Sequence, residues 1–454
     1  MGSRIAEMRS MRIMRPALLL LLTAAVVSAQ TQTQTQTRAN LPANLTLRQA
    51  LELALTNSST LREAQANLEK ISGKYEQTRS DLLPQLSVIA RQGYLTVNLP
   101  GFGIEITGQP GLIGPFGSMD ARVVLTQDLL NIASMKSWQS FSSREESARF
   151  QVNNAREVVT LNVVSAYLQA LTAKANRDTV TEQAKLATEL YMLTADRLKQ
   201  GVASELDANR AKQKVNSLEQ RRQEAEQGYV AAKLSLANFI QANITPDFEV
   251  SDPAAYGSGA TMDKGASLQA ALTTRPDYRA AESNVRAAEL HVKSVEATYL
   301  PTLSVRATDG QSGTYPEHNV NVYSVFGTLE FPIFTSGRIS GAVYEAKSFL
   351  HEATAALDKQ RAQIETEVLT AISAVEWALK EVETSSQNVG LSRQEVDLSR
   401  SRFLQGVTDN TEVINAQDRL SQADDSQIRA QYTLGLARAN LARAIGGAER
   451  AYRK

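Results

Sequence analysis

The chain has 454 residues, with 48 basic and 48 acidic side chains and no cysteine. This balance gives no excess of positive charge for nucleic-acid binding, and the lack of cysteine excludes disulfides, thiolate nucleophiles and thiolate metal sites. The length allows two or three ordinary domains, or one large duplicated unit.

The first 29 residues have the pattern of a secretory signal peptide. Four arginines precede the apolar run 17–27, and small residues up to Ala29 precede Gln30. A charged region, an apolar core and a small-residue cleavage site are typical of such peptides. The alternative is a membrane-anchoring helix, but the run is shorter than the roughly 20 residues that span a bilayer. Residues 30–44, with alternating Thr and Gln, are predicted to be a low-complexity lead-in.

Residues 45–241 form the first of two predicted structural repeats. Helical spacing of Leu and Ala predicts one amphipathic helix over Leu45–Ser80, which ends before Pro84. The strand, loop and returning strand that we predict next are Gln85–Val97, Leu99–Gly117 and Asp120–Leu125. No Pro or Gly occurs from Ile132 to Gln200, which predicts a helix on the order of 100 Å long. A return helix is predicted over Ser204–Gln241.

Residues 242–265 are rich in Gly and Pro and are predicted to be a linker, after which the pattern returns over residues 266–446. Leu51 and Leu83-Pro84 recur as Leu268 and Leu300-Pro301, each 217 positions later. The expected loop, strand and second long helix are Asp309–Asn319, Val320–Leu329 and Arg338–Gln405. Residues 447–454 are predicted to be a C-terminal tail.

Each repeat contains a short turn between its long helix and its return helix. Gly201 and Gly406 stand at these turns, where glycine can take the left-handed conformation that ends a helix. Ser204 and Asp409 follow as candidate N-caps. The connections are so short that each helix pair must form an antiparallel hairpin.

The search for catalytic or metal-binding motifs favours no enzyme, no cofactor and no metal site. None of the three histidines has a second histidine at metal-ligand spacing, since Ala355 stands where a zinc motif beginning at His351 would need one. No glycine-rich loop ends in Lys-Ser or Lys-Thr.

Four strands per chain are too few for a closed membrane barrel, because about eight is the minimum and open edges are not tolerated in lipid. If the strands enter a membrane, the barrel must be shared, and three copies would supply twelve strands and twelve helical columns. The alternative is that the strands cap a soluble coiled coil, since Arg91, Arg122 and Glu330 make the apolar alternation imperfect. In both cases the fold class is mainly α with a small β part, built from tandem-duplicated long helical hairpins.

The sequence resembles the outer-membrane efflux protein family of TolC-like ducts. The resemblance is carried by the duplication, by Leu-Pro-x-Leu-Ser at Leu83 and Leu300, and by the Gly-Val turns with Ala416-Gln417 beyond the second. It implies a homotrimer with a β-barrel in outer-membrane lipid and a helical tunnel in the periplasm. The implied partners are a periplasmic adaptor and an inner-membrane transporter, with no nucleic acid. The implied function is a passive exit duct for efflux or type I secretion; the rival is a soluble periplasmic scaffold or adaptor.

The resemblance also implies two functional regions. The hairpin turns would form the adaptor-docking tip, and acidic residues just inside it would form a periplasmic gate. In the family a Tyr hydroxyl and an Arg can latch that gate, whereas Phe403 and Thr408 stand there, so we expect a different or weaker latch with one carboxylate ring at Glu412. The tip residues are Gly201, Val202, Ala203, Ser204, Gly406, Val407, Thr408 and Asp409. The gate residues are Asp207, Glu412, Asn415, Phe403 and Thr408.

Overall fold

A computed structural model describes residues 41–108, 110–242, 247–252, 263–314 and 319–453. The predicted signal peptide and the lead-in up to residue 40 lie outside the described residues. The elements of the first half are β1 (Asn44–Leu45), α1 (Leu47–Asn57), α2 (Ser59–Ser80), β2 (Gln85–Asn98), β3 (Leu112–Leu130), α3 (Ile132–Lys199) and α4 (Glu205–Ile240). Those of the second half are β4 (Glu249–Val250), α5 (Lys264–Thr274), α6 (Pro276–Glu296), β5 (Thr302–Gly313), β6 (Asn319–Glu330), α7 (Arg338–Leu404), α8 (Asn410–Ala444) and α9 (Ala448–Tyr452).

The two long helices have the predicted bounds to within one residue. α3 contains 68 residues and α7 contains 67, and each is followed by a return helix of 36 or 35 residues. Neither run contains proline, and few positions break the i to i−4 hydrogen-bond ladder. Their length therefore follows from sequence, while the hairpin partner supplies the packing that a single helix lacks.

The prediction of a single helix over Leu45–Ser80 is wrong, because the chain breaks at Ser58. Ser58 has extended backbone angles, and its hydroxyl accepts a hydrogen bond from the N–H of Leu61 at 3.4 Å. Asn57, Ser58 and Ser59 all favour caps over helix interiors. The same break recurs at Arg275, directly before Pro276.

The strands are longer than predicted. β3 begins at Leu112, inside the predicted loop, and β5 continues to Gly313, also inside a predicted loop. Glycine weakens a strand locally, but pairing overrides that preference, with β2 alone at Leu112 and with strands on both sides at Gly313. The sheet order is β2-β3-β5-β6, all antiparallel, so β2 and β6 are its edges.

The register separates the two faces of this sheet. Leu86 and Val88 lie opposite Leu125 and Val123, and the same face continues through Val325 on β6. Every second residue points to the other face, which carries serine, threonine and arginine side chains together with some apolar ones, such as Ile89, Val124 and Phe326. We call this the polar face. Arg91 and Arg122, which made the alternation look imperfect, both lie on this polar face.

The largest buried cluster joins the first hairpin to the start of the chain. Tyr167 of α3 and Leu236 of α4 are fully buried there with Leu45 of β1. The Tyr167 hydroxyl donates to the carbonyl of Leu45 at 2.8 Å, and burial raises the pKa of Tyr167 to about 12. β1 pairs in parallel with β4, so part of the predicted linker is a strand whose Val250 is buried. The predicted C-terminal tail likewise contains a helix, α9.

Candidate functional site at the hairpin turns

Both hairpins end in the same backbone turn. In the first, the N–H of Gly201 donates to the carbonyl of Leu198, and the N–H of Val202 donates to that of Arg197, both at 2.9 Å. The second turn repeats these bonds from Gly406 to Phe403 at 3.1 Å and from Val407 to Arg402 at 3.0 Å. This is the Schellman arrangement, in which the left-handed residue closes the last helical turn. Both glycines have φ of 75°, and no atom would contact an added Cβ within 4 Å, so the backbone angle alone requires glycine.

The return helices begin at the predicted caps. The Ser204 hydroxyl accepts from the N–H of Asp207 at 3.1 Å, while the Asp207 carboxylate accepts from the N–H of Ser204 at 3.3 Å. This reciprocal pair is a capping box, and it occupies a carboxylate that the sequence suggested for the gate. Asp409 accepts from the N–H of Thr411 at 3.1 Å without a reciprocal partner. The predicted capping roles of Ser204 and Asp409 are confirmed.

Arg197 of the first hairpin holds the end of the second. Its guanidinium donates to the carbonyls of Phe403 and Leu404 at 2.7 and 2.8 Å. The guanidinium carbon lies 4.5 Å from the centre of the Phe403 ring. A cation at a helix C-terminus satisfies free carbonyls and opposes the negative end of the helix dipole, and stacking on the ring adds a cation–π attraction.

Phe403 lies in the apolar contact between the two hairpins. Its side chain is only 4% exposed and packs with Leu190 of α3 and Val413 of α8. Within one chain it therefore faces a helix interface, and its contact with Arg197 uses the ring face, for which no hydroxyl is needed. The sequence analysis did not single out Arg197; the available signal was its position as the late basic residue of α3.

The remaining gate residues make local contacts or none. The Glu412 carboxylate pairs with Arg402 of the same hairpin, with Nε and Oε1 3.2 Å apart. Asn415 is exposed and Thr408 is half-buried. The structure thus places Asp207 and Glu412 in equivalent positions of the two repeats, each with its own partner. It does not bring the two carboxylates together within one chain.

A polar seam joins the two return helices. The side-chain amide of Asn410, which is fully buried, donates to the carbonyl of Asp207 at 2.7 Å. Further along the seam the Arg210 side chain donates to the Thr411 hydroxyl at 3.1 Å. Two ion pairs continue it, Lys214 with Asp418 and, at 3.0 Å, Arg221 with Asp425. The basic residues of the seam lie on α4 and the acidic ones on α8.

The carboxylates of α7 and α8 near this seam differ in their surroundings. Burial raises the pKa of Asp424, which accepts a hydrogen bond from Gln183 at 3.4 Å. Glu395 of α7 lies at the surface, and the guanidinium of Arg419 at 2.9 Å lowers its pKa. The acidic residues of this region are therefore used for helix contacts as well as for surface charge.

The outer surface of the two turns is apolar and exposed. Val202 and Val407, at equivalent places after the two glycines, are 68% and 64% exposed. Leu206 and Leu404 are also more than half exposed. A pair of apolar loop tips beside accessible backbone is a surface suited to another protein.

The described part of the chain contains no helix long and apolar enough to cross a membrane. In the same residues, no group of three or more His, Asp or Glu side chains could hold a metal ion.

A sequence model of the family described as outer membrane efflux protein matches residues 50–240 and again residues 267–447. The chain belongs to the outer membrane efflux protein family. The first match lies within the first predicted repeat, and the second covers the second predicted repeat except residue 266 and extends one residue beyond it. The function predicted from the sequence, an outer-membrane efflux channel, is confirmed, and the soluble scaffold is not favoured.

Individual relatives cover nearly the whole family match. The chain is 23% identical over 413 residues to SepC, a probable efflux pump outer membrane protein of Pseudomonas putida, covering 88% of this chain and 83% of SepC. It is 25% identical over 421 residues to outer membrane protein OprJ of Pseudomonas aeruginosa, covering 88% and 84%. The outer membrane protein VceC of Vibrio cholerae has the same fold, with a TM-score of 0.77, 19% identity and coverage of 88% and 96%.

Proposed function

We propose that three copies of this chain form the outer-membrane exit duct of a tripartite efflux or type I secretion system. The four-stranded sheets would close into a twelve-stranded barrel in the lipid, and the long hairpins would form a helical barrel in the periplasm. The duct is passive, has no catalytic site, and opens and closes at the hairpin turns. An inner-membrane transporter supplies the energy, and a periplasmic adaptor joins the two.

The observation that carries this proposal is a sheet with one mainly apolar face, on which Asp309 is the charged residue of the described strands, and with two long edges unpaired within the chain. Leu86 and Tyr323 on that face are 71% and 76% exposed, whereas an isolated soluble sheet would bury such residues. Edge strands β2 and β6 have 14 and 12 residues. Open edges leave backbone N–H and C=O groups unpaired. If β2 of one copy pairs with β6 of the next, these groups are hydrogen-bonded and the closed barrel can present its apolar face to the lipid.

The adaptor would dock on the tip residues Val202, Ala203, Val407 and Thr408, with the two glycines and the two capping residues. The exposed valines supply apolar area at a place where the turn backbone is accessible. A partner helical hairpin of matching geometry could pack there through small residues. Substituting both valines by Asp is expected to abolish co-purification with the transporter while leaving the trimer intact.

The gate would be held shut by Arg197 and Phe403, the contact that joins the two hairpins of one chain. Glu412 would supply one carboxylate from each subunit to the lumen. Its ion pair with Arg402 would then be broken, or Arg402 would also contact neighbouring groups. The Glu412→Gln variant is expected to lower the cation preference of the channel in a planar bilayer. An unchanged reversal potential would exclude Glu412 from the conduction path.

Disulfide trapping tests the shared barrel, because the natural chain contains no cysteine to confuse the result. Cysteines are introduced on β2 at Ser87 and on β6 at Ser324 or Thr328, which share the polar face. Oxidation of a double variant in membranes should give a covalent trimer on a non-reducing gel. Each single variant is the control and should not. A chain that is monomeric and released by carbonate washing would contradict the proposal.

A further inference from the structure

The polar face of the sheet carries three arginines on three neighbouring strands. Arg91 of β2 lies opposite Asp120, Arg122 of β3 lies opposite Gly310, and Arg306 of β5 lies opposite Thr126. Residues directly opposite in antiparallel strands share a face, and every second residue returns to it. The register therefore places all three guanidinium groups on the face opposite to Leu86 and Val88, a face that also carries apolar residues such as Phe326, which lies opposite Arg306.

The acidic residues of the same face are unevenly distributed along it. Asp128 and Glu330 lie at the end of the sheet from which the helices start, and Asp128 accepts a hydrogen bond from Asn131 at 2.9 Å. Beyond Thr126, Asp120 is the acidic residue of this face within the described strands, and it pairs with Arg122 at 2.7 Å. From the pair Arg306–Thr126 outwards, three arginines against one aspartate leave two positive charges per chain; Arg306 is the arginine nearest to the helices, two residues along the strand from the Ser304–Asp128 pair.

Arg91 and Arg306 are free to bind a solute. Both are exposed, and within the described residues neither has a carboxylate within 4.0 Å. Arg122 differs from these two arginines because it pairs with Asp120, and the residue opposite it on β5 is Gly310. A Cβ on Gly310 would lie 2.2 Å from the carbonyl oxygen of Ala121 and 2.4 Å from the Cα of Arg122. Only glycine fits there, which leaves the space in front of Arg122 without an opposing side chain.

We propose that this face lines the lumen of the barrel and that its part from Arg306 outwards forms a basic surface that attracts multivalent anions. The ligands would be organic solutes with two or more carboxylate, sulfonate or phosphate groups, because guanidinium binds such groups through paired hydrogen bonds. The inference depends on the proposed trimer, in which nine arginines and three aspartates would surround the lumen from Arg306 outwards, with Asp128 and Glu330 of each copy on the helix side of them. It gives the outer barrel the opposite charge to the Glu412 ring proposed at the tip.

The distance over which this basic surface attracts anions depends on the salt concentration. A twelve-stranded barrel has a radius on the order of 12 Å, from the strand spacing and tilt. The Debye length is about 10 Å at 0.1 M salt and about 30 Å at 0.01 M. Attraction across the lumen is therefore strong in dilute buffer and restricted to the wall at higher salt.

The test measures binding of pyranine, a trisulfonated pyrene dye, by fluorescence anisotropy to the full-length protein in zwitterionic detergent. At about 0.01 M salt, R91Q/R306Q is expected to weaken binding about tenfold, and R91K/R306K to change it less than about twofold. R48Q/R79Q removes the same charge from helix surfaces, where both arginines are already paired, and should leave binding unchanged. At about 0.5 M salt the difference between variants should disappear.

Size-exclusion chromatography of the same samples shows whether a negative result excludes the basic surface alone or the proposed trimeric duct as well. A trimer whose dye affinity is unaffected by R91Q/R306Q would overturn the basic surface and leave the duct standing. A trimer in which these substitutions reduce binding of anionic lipid micelles, but not of the dye, would mean that the arginines face the membrane, and would also overturn it. A monomer that stays in solution without detergent would remove the proposed function itself.

Discussion

The two hairpin turns have the same backbone and use their side chains differently. Arg197 and Arg402 occupy equivalent positions, 205 residues apart, at the ends of α3 and α7. Arg197 reaches across to the carbonyls and ring of the other hairpin, whereas Arg402 pairs with Glu412 in its own. Both repeats have the same turn, because it depends on the glycine and the N-cap that both contain. The contact of a turn arginine with the other hairpin is made by Arg197 alone of these two.

The largest expected difference between the turns lies at Phe403 and its counterpart Leu198. Phe403 is buried between hairpins and Leu198 is half-buried, so Phe403→Ala should destabilise by about 3–5 kcal/mol and Leu198→Ala by less than about half of that. Guanidinium unfolding of the detergent-solubilised protein, followed by helical circular dichroism, measures both. Equal midpoints for the two variants would mean that the hairpins are not joined through Phe403.

The next comparison is Arg197→Gln with Arg402→Gln. Loss of Arg197 leaves two helix-end carbonyls without their charged donor, and we expect a cost of about 1–3 kcal/mol. Arg402 forms a surface ion pair, so its loss should cost less than about 1 kcal/mol. In planar bilayers Arg197→Gln should raise the open fraction of the channel, and Arg402→Gln should not. An increase in both would indicate that the turns share the latch equally.

The glycines should behave alike. Each has φ of 75° and open space around it, so Gly201→Ala and Gly406→Ala should each cost about 1–2 kcal/mol from backbone strain alone. Unfolding midpoints of the two single variants provide the measurement. A difference much larger than the strain itself would show that one turn has contacts that the other lacks.

These contrasts explain what the sequence could predict. The turns were predictable because glycine and an N-cap follow each long run without proline, and these are local signals. The break at Ser58 was missed because the leucine spacing on both sides continues through it. The early start of β3 at Leu112 depends on pairing with Asn98 of β2, a contact that local composition does not record.

The contact between hairpins could not be predicted for a related reason. Arg197 and Arg402 both lie four residues before the glycine of their turn, so their positions in the sequence give no basis for choosing the one that crosses. The choice depends on which helix end lies beside the other hairpin in three dimensions. For the same reason Asp207 and Glu412 looked alike as gate carboxylates, although one caps a helix and the other pairs with an arginine.

A small difference is expected between the two N-caps, and it bears directly on Asp207. Ser204→Ala removes one half of a reciprocal box and should cost about 1–2 kcal/mol. Asp409→Ala removes the hydrogen bonds accepted from the N–H and the hydroxyl of Thr411, with no reciprocal box, and should cost about 0.5–1 kcal/mol. If Asp207 acts only as the other half of the box, Asp207→Ala in the Ser204→Ala background should add little further loss. Cation preference should then also stay unchanged in Asp207→Asn. A shifted reversal potential in that variant would assign Asp207 to the lumen, and the two repeats would then contribute equally to the gate.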